Sequence, residues 1–77
     1  MELEIKLFSD LKRYAPGSKN VFSISITSGA TVDDALKALK VPEDVPKVTI
    51  LNGRRADTNT IIEPQSILVV FSSVSGG

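Results

Sequence analysis

The sequence predicts an α+β domain in which one main helix covers one face of a sheet. Three observations predict it. Two segments near the start, Leu3-Ile5-Leu7 and Phe22-Ile24-Ile26, place apolar residues at every second position, the period of a strand with one buried face. A single segment has helical spacing, with Val32, Ala35, Leu36 and Leu39 on one stripe. After it, strand-like runs return and end in Ile67-Leu68-Val69-Val70-Phe71.

The first strand alternates Leu3, Ile5 and Leu7 with Glu2, Glu4 and Lys6, and throws Phe8 onto the face opposite Leu7. Ser9 to Tyr14 reads as a short helical turn with Leu11 inward and Lys12 and Arg13 outward. Ala15-Pro16-Gly17-Ser18 is turn chemistry, so the first two strands form a hairpin. Thr31 and Asp34 have the spacing of a capping box that starts the helix. Asp33 and Asp34 lie at its positive end, and Lys37 and Lys40 near its negative end. Pro42 is expected to end it by steering Val41 away from helical angles. Lys47 to Leu51 is the third strand, with Val48 and Ile50 expected inward. Asn52-Gly53 is a two-residue hairpin turn, because both residues tolerate positive φ. Arg54 to Ala56 begins a short return strand. In the polar connection from Asp57 to Gln65, Ile61 and Ile62 are expected to anchor the chain to the core edge. In the last strand Leu68 and Val70 face the helix, which leaves Ile67, Val69 and Phe71 on the other side. With Phe8 they make either loop-covered core or an exposed apolar docking patch.

Composition bounds the chemistry. Seventy-seven residues make one domain. There is no Cys and no His, so thiolate nucleophiles, disulfides and the commonest metal ligand are absent. No metal site is expected. Nine basic residues balance nine acidic ones without a basic stripe, which argues against a nucleic-acid partner. Met1-Glu2-Leu3-Glu4 does not read as a signal peptide, so none is expected, and no apolar run is long enough to span a bilayer. A cytoplasmic location without membrane partners is the expectation. The chain divides into a domain over residues 1–71 and a flexible tail over 72–77, Ser72-Ser73-Val74-Ser75-Gly76-Gly77. Two glycines lack Cβ atoms and fit a channel too narrow for side chains. Six extended residues span roughly 20 Å.

The opening Ile5-Lys6-Leu7-Phe8-Ser9-Asp10-Leu11-Lys12, the helix start Thr31-Val32-Asp33-Asp34-Ala35-Leu36, the Leu51-Asn52-Gly53 turn and the end Val70 to Gly77 together resemble the β-grasp, or ubiquitin-like, sulfur carriers. The likeness is greatest to the small subunit of molybdopterin synthase. It spans essentially the whole chain, and implies a mixed sheet with one main helix and a Gly-Gly tail. It also implies that an E1-like adenylating enzyme uses ATP to activate the Gly77 carboxylate, which sulfur then converts to a thiocarboxylate. The carrier itself binds no cofactor. The tail, Val74, Ser75 and Gly76 included, would enter the synthase large subunit and donate sulfur to the pterin dithiolene. Phe8, Val69 and Phe71 are the candidate dock for partners. The chain departs from the family in Ser72-Ser73, where many members have Pro-Pro, and in Pro64-Gln65, where Gly-Asp is usual. Unlike ubiquitin, it has no arginine near its end.

Three function classes follow. The first is a sulfur carrier, for molybdopterin or for thiamine, cysteine or tungsten-cofactor assembly. The second is a protein modifier joined through Gly77 to lysine amines. The third is an interaction module with an inert tail. An enzyme with its own active site fits least, since a chain this small has little room for a large pocket. Arg54-Arg55 and Lys12-Arg13 read as solvated edges rather than ligand sites, and Asp33-Asp34 as caps rather than a catalytic pair.

Overall fold

A computed structural model describes residues 1–73. The elements are β1 (Glu2–Leu7), a 3-10 turn (Ser9–Tyr14), a second short one (Pro16–Ser18), β2 (Val21–Ser25), α1 (Val32–Ala38), β3 (Lys47–Leu51), β4 (Arg54–Arg55) and β5 (Ile67–Ser72). The strands form one sheet in the order β2-β1-β5-β3-β4. β1 and β5 are parallel, and the other neighbours are antiparallel, so the sheet is mixed. β5 holds the centre.

Alternation determines what the sheet buries. Leu3, Ile5 and Leu7 of β1 and Leu68 and Val70 of β5 are fully buried, together with Leu11 and Val32. Ala35, Leu36, Val41 and Ile62 close the same core. Burying a leucine-sized side chain contributes about 1.5–3 kcal/mol, so this one layer between α1 and the sheet supplies the fold's main driving force.

The helix starts as its sequence predicts. The Asp34 amide donates to Thr31 Oγ1 at 3.3 Å, and the Thr31 amide donates to an Asp34 carboxylate oxygen at 2.9 Å. Its end differs from the expectation. The helix stops at Ala38, and Lys40 takes φ +62°. The Val41 amide returns to the Leu36 carbonyl and the Lys40 amide to the Lys37 carbonyl, the paired bonds of a Schellman cap. Termination is therefore complete two residues before Pro42.

Two further expectations are corrected. In β3 it is Thr49 and Leu51 that are buried, while Val48 and Ile50 are half-buried on the opposite face. Pairing with β5 decides this phase: Thr49 lies opposite Val70 and Leu51 opposite Leu68, both on the helix side. The Thr49 hydroxyl is satisfied by donating to the Ala56 carbonyl, so its burial leaves no orphan polar group. In the 57–65 connection Ile62 is buried, but Ile61 is 60% exposed and makes an isolated bridge with Thr31.

The turns agree with their chemistry. Asn52 (φ +53°) and Gly53 (φ +84°) join β3 to β4, as a tight hairpin turn requires. Asn52 also donates from Nδ2 to Ser66 Oγ and accepts from the Ile67 amide, which ties the hairpin to the start of β5. Gln65 adopts φ +62° after Pro64, a position that glycine fills more cheaply.

Candidate functional site

The candidate site is the exit of β5 and the sheet face beside it. A strand at the centre of a sheet is hydrogen-bonded on both edges, so its end is held rigidly in place. Here β5 pairs with β1 over Ile67–Val70 and with β3 over Leu68–Ser72. The strand runs one residue past the expected end at Phe71, with Ser72 opposite Lys47. The Ser73 amide still reaches the Pro46 carbonyl, at 3.5 Å. Val74, Ser75, Gly76 and Gly77, on which the predicted tail chemistry rests, lie outside the described residues.

Strand register and alternation place Phe8, Val69 and Phe71 on the face of the sheet away from α1. Phe8 has an extended backbone (φ −127°, ψ 167°) and its amide donates to the Val70 carbonyl at 3.0 Å. One step beyond the Leu7–Val70 pair, the parallel register carries Phe8 level with Phe71. Across the next ladder Val48 lies opposite Phe71 and Ile50 opposite Val69. Phe8 and Ile67 are each 38% exposed. Val48, Ile50, Val69 and Phe71 are half-buried, so the face is exposed chiefly at Phe8 and Ile67. Val48 and Ile50 belong to it, although periodicity alone predicts them inward; their alternation out of phase with Leu51 is the signal that points the other way.

The patch has a charged surround. Lys6 lies beside Val69, Glu4 beside Ile67, and Arg55 opposite Ile50. Arg54 and Arg55 are exposed, as are Lys12 and Arg13. Elsewhere Asp33 pairs with Lys37 at 3.0 Å along the helix. The hydrogen bond and the charge of Asp33 hold the Lys37 ammonium above the ordinary lysine range. This pair is on the helix, which covers the other face of the sheet, and Asp34 is committed to the cap. The aspartates thus act locally at the helix start.

Among the described residues, the depressions of the surface are shallow and open to solvent. The larger ones hold about 140–370 Å³, at or below the low end of ligand sites. One of about 370 Å³ is lined by Glu2, Glu4, Ser23 and Ile67 on the open sheet face. Among the described residues no group of His, Cys, Asp and Glu could hold a metal ion, and no helix is long and apolar enough to cross a membrane. What the geometry presents is the end of a strand paired on both edges, with an apolar patch beside it.

No protein-family model matches the chain, and no curated protein does. Solved structures do. The chain is similar to SAMP1 from Haloferax volcanii, a small archaeal modifier protein, at 27% identity over the whole of both chains, with a TM-score of 0.79. It is similar to a Pyrococcus furiosus protein assigned as molybdopterin converting factor subunit 1, at 18% identity over 96% of this chain and 99% of that one, with a TM-score of 0.77. It is also similar to a chain of the complex of subunits 1 and 2 of molybdopterin-converting factor from Helicobacter pylori, at 19% identity over both whole chains, with a TM-score of 0.64. The five-stranded mixed sheet with its packed helix is the ubiquitin-like β-grasp fold, as the resemblance in sequence implied.

Proposed function

We propose that this ubiquitin-like β-grasp protein is a sulfur carrier whose reacting group is the α-carboxylate of Gly77, and that it serves as the small subunit of molybdopterin synthase. The observation that carries this reading is the position of β5. The strand that leads to Gly76-Gly77 is the central one, and the apolar patch of Phe8, Val69 and Phe71 lies on the open face beside its exit. A partner gripping that patch would hold the tail's root at a defined place, which makes delivery of the carboxylate effectively intramolecular.

The chemistry asks nothing of the carrier's side chains. The Gly77 carboxylate attacks the α-phosphorus of ATP on an E1-like adenylating enzyme, and pyrophosphate leaves. The acyl-adenylate now has a good leaving group. A hydrosulfide equivalent attacks its carbonyl carbon and expels AMP, exchanging one C–O bond for C–S. The thiocarboxylate then donates sulfur in the large subunit, over two loadings. The chain has no His or Cys with which to catalyse these steps, so the acid-base groups belong to its partners. Support for a large-subunit partner comes from the Helicobacter pylori relative, whose structure is a complex of subunits 1 and 2.

The similarity to the archaeal modifier over the full chain favours a second reading. There a lysine amine, rather than sulfur, attacks the activated Gly77 carbonyl and forms an isopeptide bond. Intact mass of the protein from its native host separates the two. A species heavier by sulfur in place of oxygen, with the change mapped to Gly77, is the expected result. Chains linked to lysines with no thiocarboxylate would establish the modifier instead. Unmodified chains alone, even after incubation with ATP, a sulfur source and the host's activating enzymes, would overturn both.

A further inference from the structure

We infer that β2 is a pairing edge for a second copy of this chain, joined antiparallel about Ser23 to make one continuous sheet. The two edges of the sheet are built differently. β4 is two residues long, both exposed arginines, and short charged edges resist further pairing. β2 is Val21-Phe22-Ser23-Ile24-Ser25, five residues with no charge, no proline and no glycine. It lacks the usual sequence devices that blunt an edge.

Hydrogen bonding shows which groups β2 offers. Met1 and Ile26 exchange main-chain bonds in both directions at 2.8 Å, and the Leu7 amide donates to the Asn20 carbonyl at 2.8 Å. With the register Leu3–Ile24 and Ile5–Phe22, the even-numbered residues of β2 turn their main chain toward β1. Antiparallel pairing alternates, so Val21, Ser23 and Ser25 turn their amides and carbonyls outward. Among the described residues nothing pairs with that outer edge.

A second copy matches this edge residue by residue. With Ser23 opposite Ser23 of the other copy, Val21 lies opposite Ser25 and Phe22 opposite Ile24. The outward residues form three hydrogen-bonded pairs, which exchange about six main-chain bonds. On the helix side the half-buried Phe22 and Ile24 meet as aromatic and β-branched cross-strand pairs, a favourable combination. On the open side Val21, 47% exposed, meets a serine. Charge favours the antiparallel direction modestly, since Glu4 shares the Ser23 row with Glu4 in either direction and the flanking charges lie about 14 Å apart. Glu2 flanks Ser25 and Lys6 flanks Val21, so antiparallel pairing puts Glu2 and Lys6 of different copies on one row. Parallel pairing would put Lys6 on the row of Lys6. The two-fold axis runs perpendicular to the sheet, so both open faces stay on one side and both β5 strands lie two places in from the joined edge. This pairing does not depend on what Gly77 carries.

The contact is small. A five-residue strand pair falls short of the roughly 1,200 Å² of a stable interface, so the association is expected to be weak, with a dissociation constant on the order of 0.1–1 mM. The test is sedimentation equilibrium of the full chain from about 10 μM to about 1 mM, with amide hydrogen exchange over the same range. The mass is expected to rise toward two chains. The amides of Val21, Ser23 and Ser25 are expected to gain protection with concentration, while those of Phe22 and Ile24 are protected throughout. Ser23→Lys sets two ammonium groups opposite each other and is expected to weaken association at least about tenfold, whereas Ser23→Thr keeps it. A single-chain mass at the highest concentration would overturn the inference. So would association that Ser23→Lys leaves unchanged, or protection that grows on β3 and β5 rather than on β2. Protection of the three outward amides only when a foreign extended peptide is added would assign the edge to another protein and equally overturn it.

Discussion

Lys40 shows how a single residue can carry a local cost for the sake of the fold. It occupies the left-handed position of the helix cap at φ +62°, where a Cβ crowds the backbone and glycine is at ease. Lys40→Gly is expected to stabilise the protein by about 0.5–1 kcal/mol, seen as a higher urea midpoint with an unchanged slope. Thr31 works in the opposite sense. Its hydroxyl accepts the Asp34 amide, and Thr31→Ala is expected to cost about 1 kcal/mol in the same measurement. The Asp33–Lys37 pair adds a dependence on pH whose sign follows from the raised Lys37 pKa. Its contribution is fully present below the ordinary lysine pKa and is lost as pH rises through the higher folded-state value. Both groups are solvated, so the effect is small and salt-screened. Melting curves taken above the lysine range should converge with those of Asp33→Asn.

At the scale of elements, β3 is the instructive case. Its sequence, Lys47-Val48-Thr49-Ile50-Leu51, offers two phases, and two β-branched apolar residues outvote one threonine when hydropathy alone is weighed. The sheet chose the other phase because Leu51 and Thr49 lie opposite Leu68 and Val70, and the threonine hydroxyl found the Ala56 carbonyl. A one-residue shift would have reversed every side chain of the strand. The inverted phase has a measurable consequence. Leu51→Ala is expected to cost about 2–4 kcal/mol, while Ile50→Thr on the open face stays within about 1 kcal/mol. Equal losses in chemical denaturation would contradict the face assignments. The capping box of α1, the Asn52-Gly53 turn and the alternation of β1, β2 and β5 were all legible beforehand, since each depends on neighbours in the chain. The Schellman end of α1 was hidden behind Pro42, the more conspicuous signal.

At the scale of the whole molecule, the core and the proposed dock lie on opposite faces of the sheet. The core lies between α1 and one face of the sheet; the candidate dock lies on the other. Phe8→Asp and Phe71→Asp are therefore expected to weaken binding to the synthase large subunit or to the activating enzyme by roughly tenfold or more, with far smaller changes in melting temperature than Leu68→Ala. Isothermal titration of each variant beside its thermal melt checks this. Deleting Gly77, or adding a residue after it, is expected to abolish sulfur transfer and leave the melt unchanged. Full transfer by either variant would sink the carrier reading.

The sequence by itself determined the local pieces: strand periods, the helix and its start, the turns, and Gly76-Gly77 after the last strand in a chain without Cys or His. These follow from interactions within a few residues, or from composition, and need no partner strand. Only the tertiary structure decided that β5 is central, that β3 turns Val48 and Ile50 outward beside Val69 and Phe71, and that β2 is left as an unblocked edge. Each of these depends on which strands meet and in what register. That choice is made by long-range pairing, which sequence periodicity does not encode.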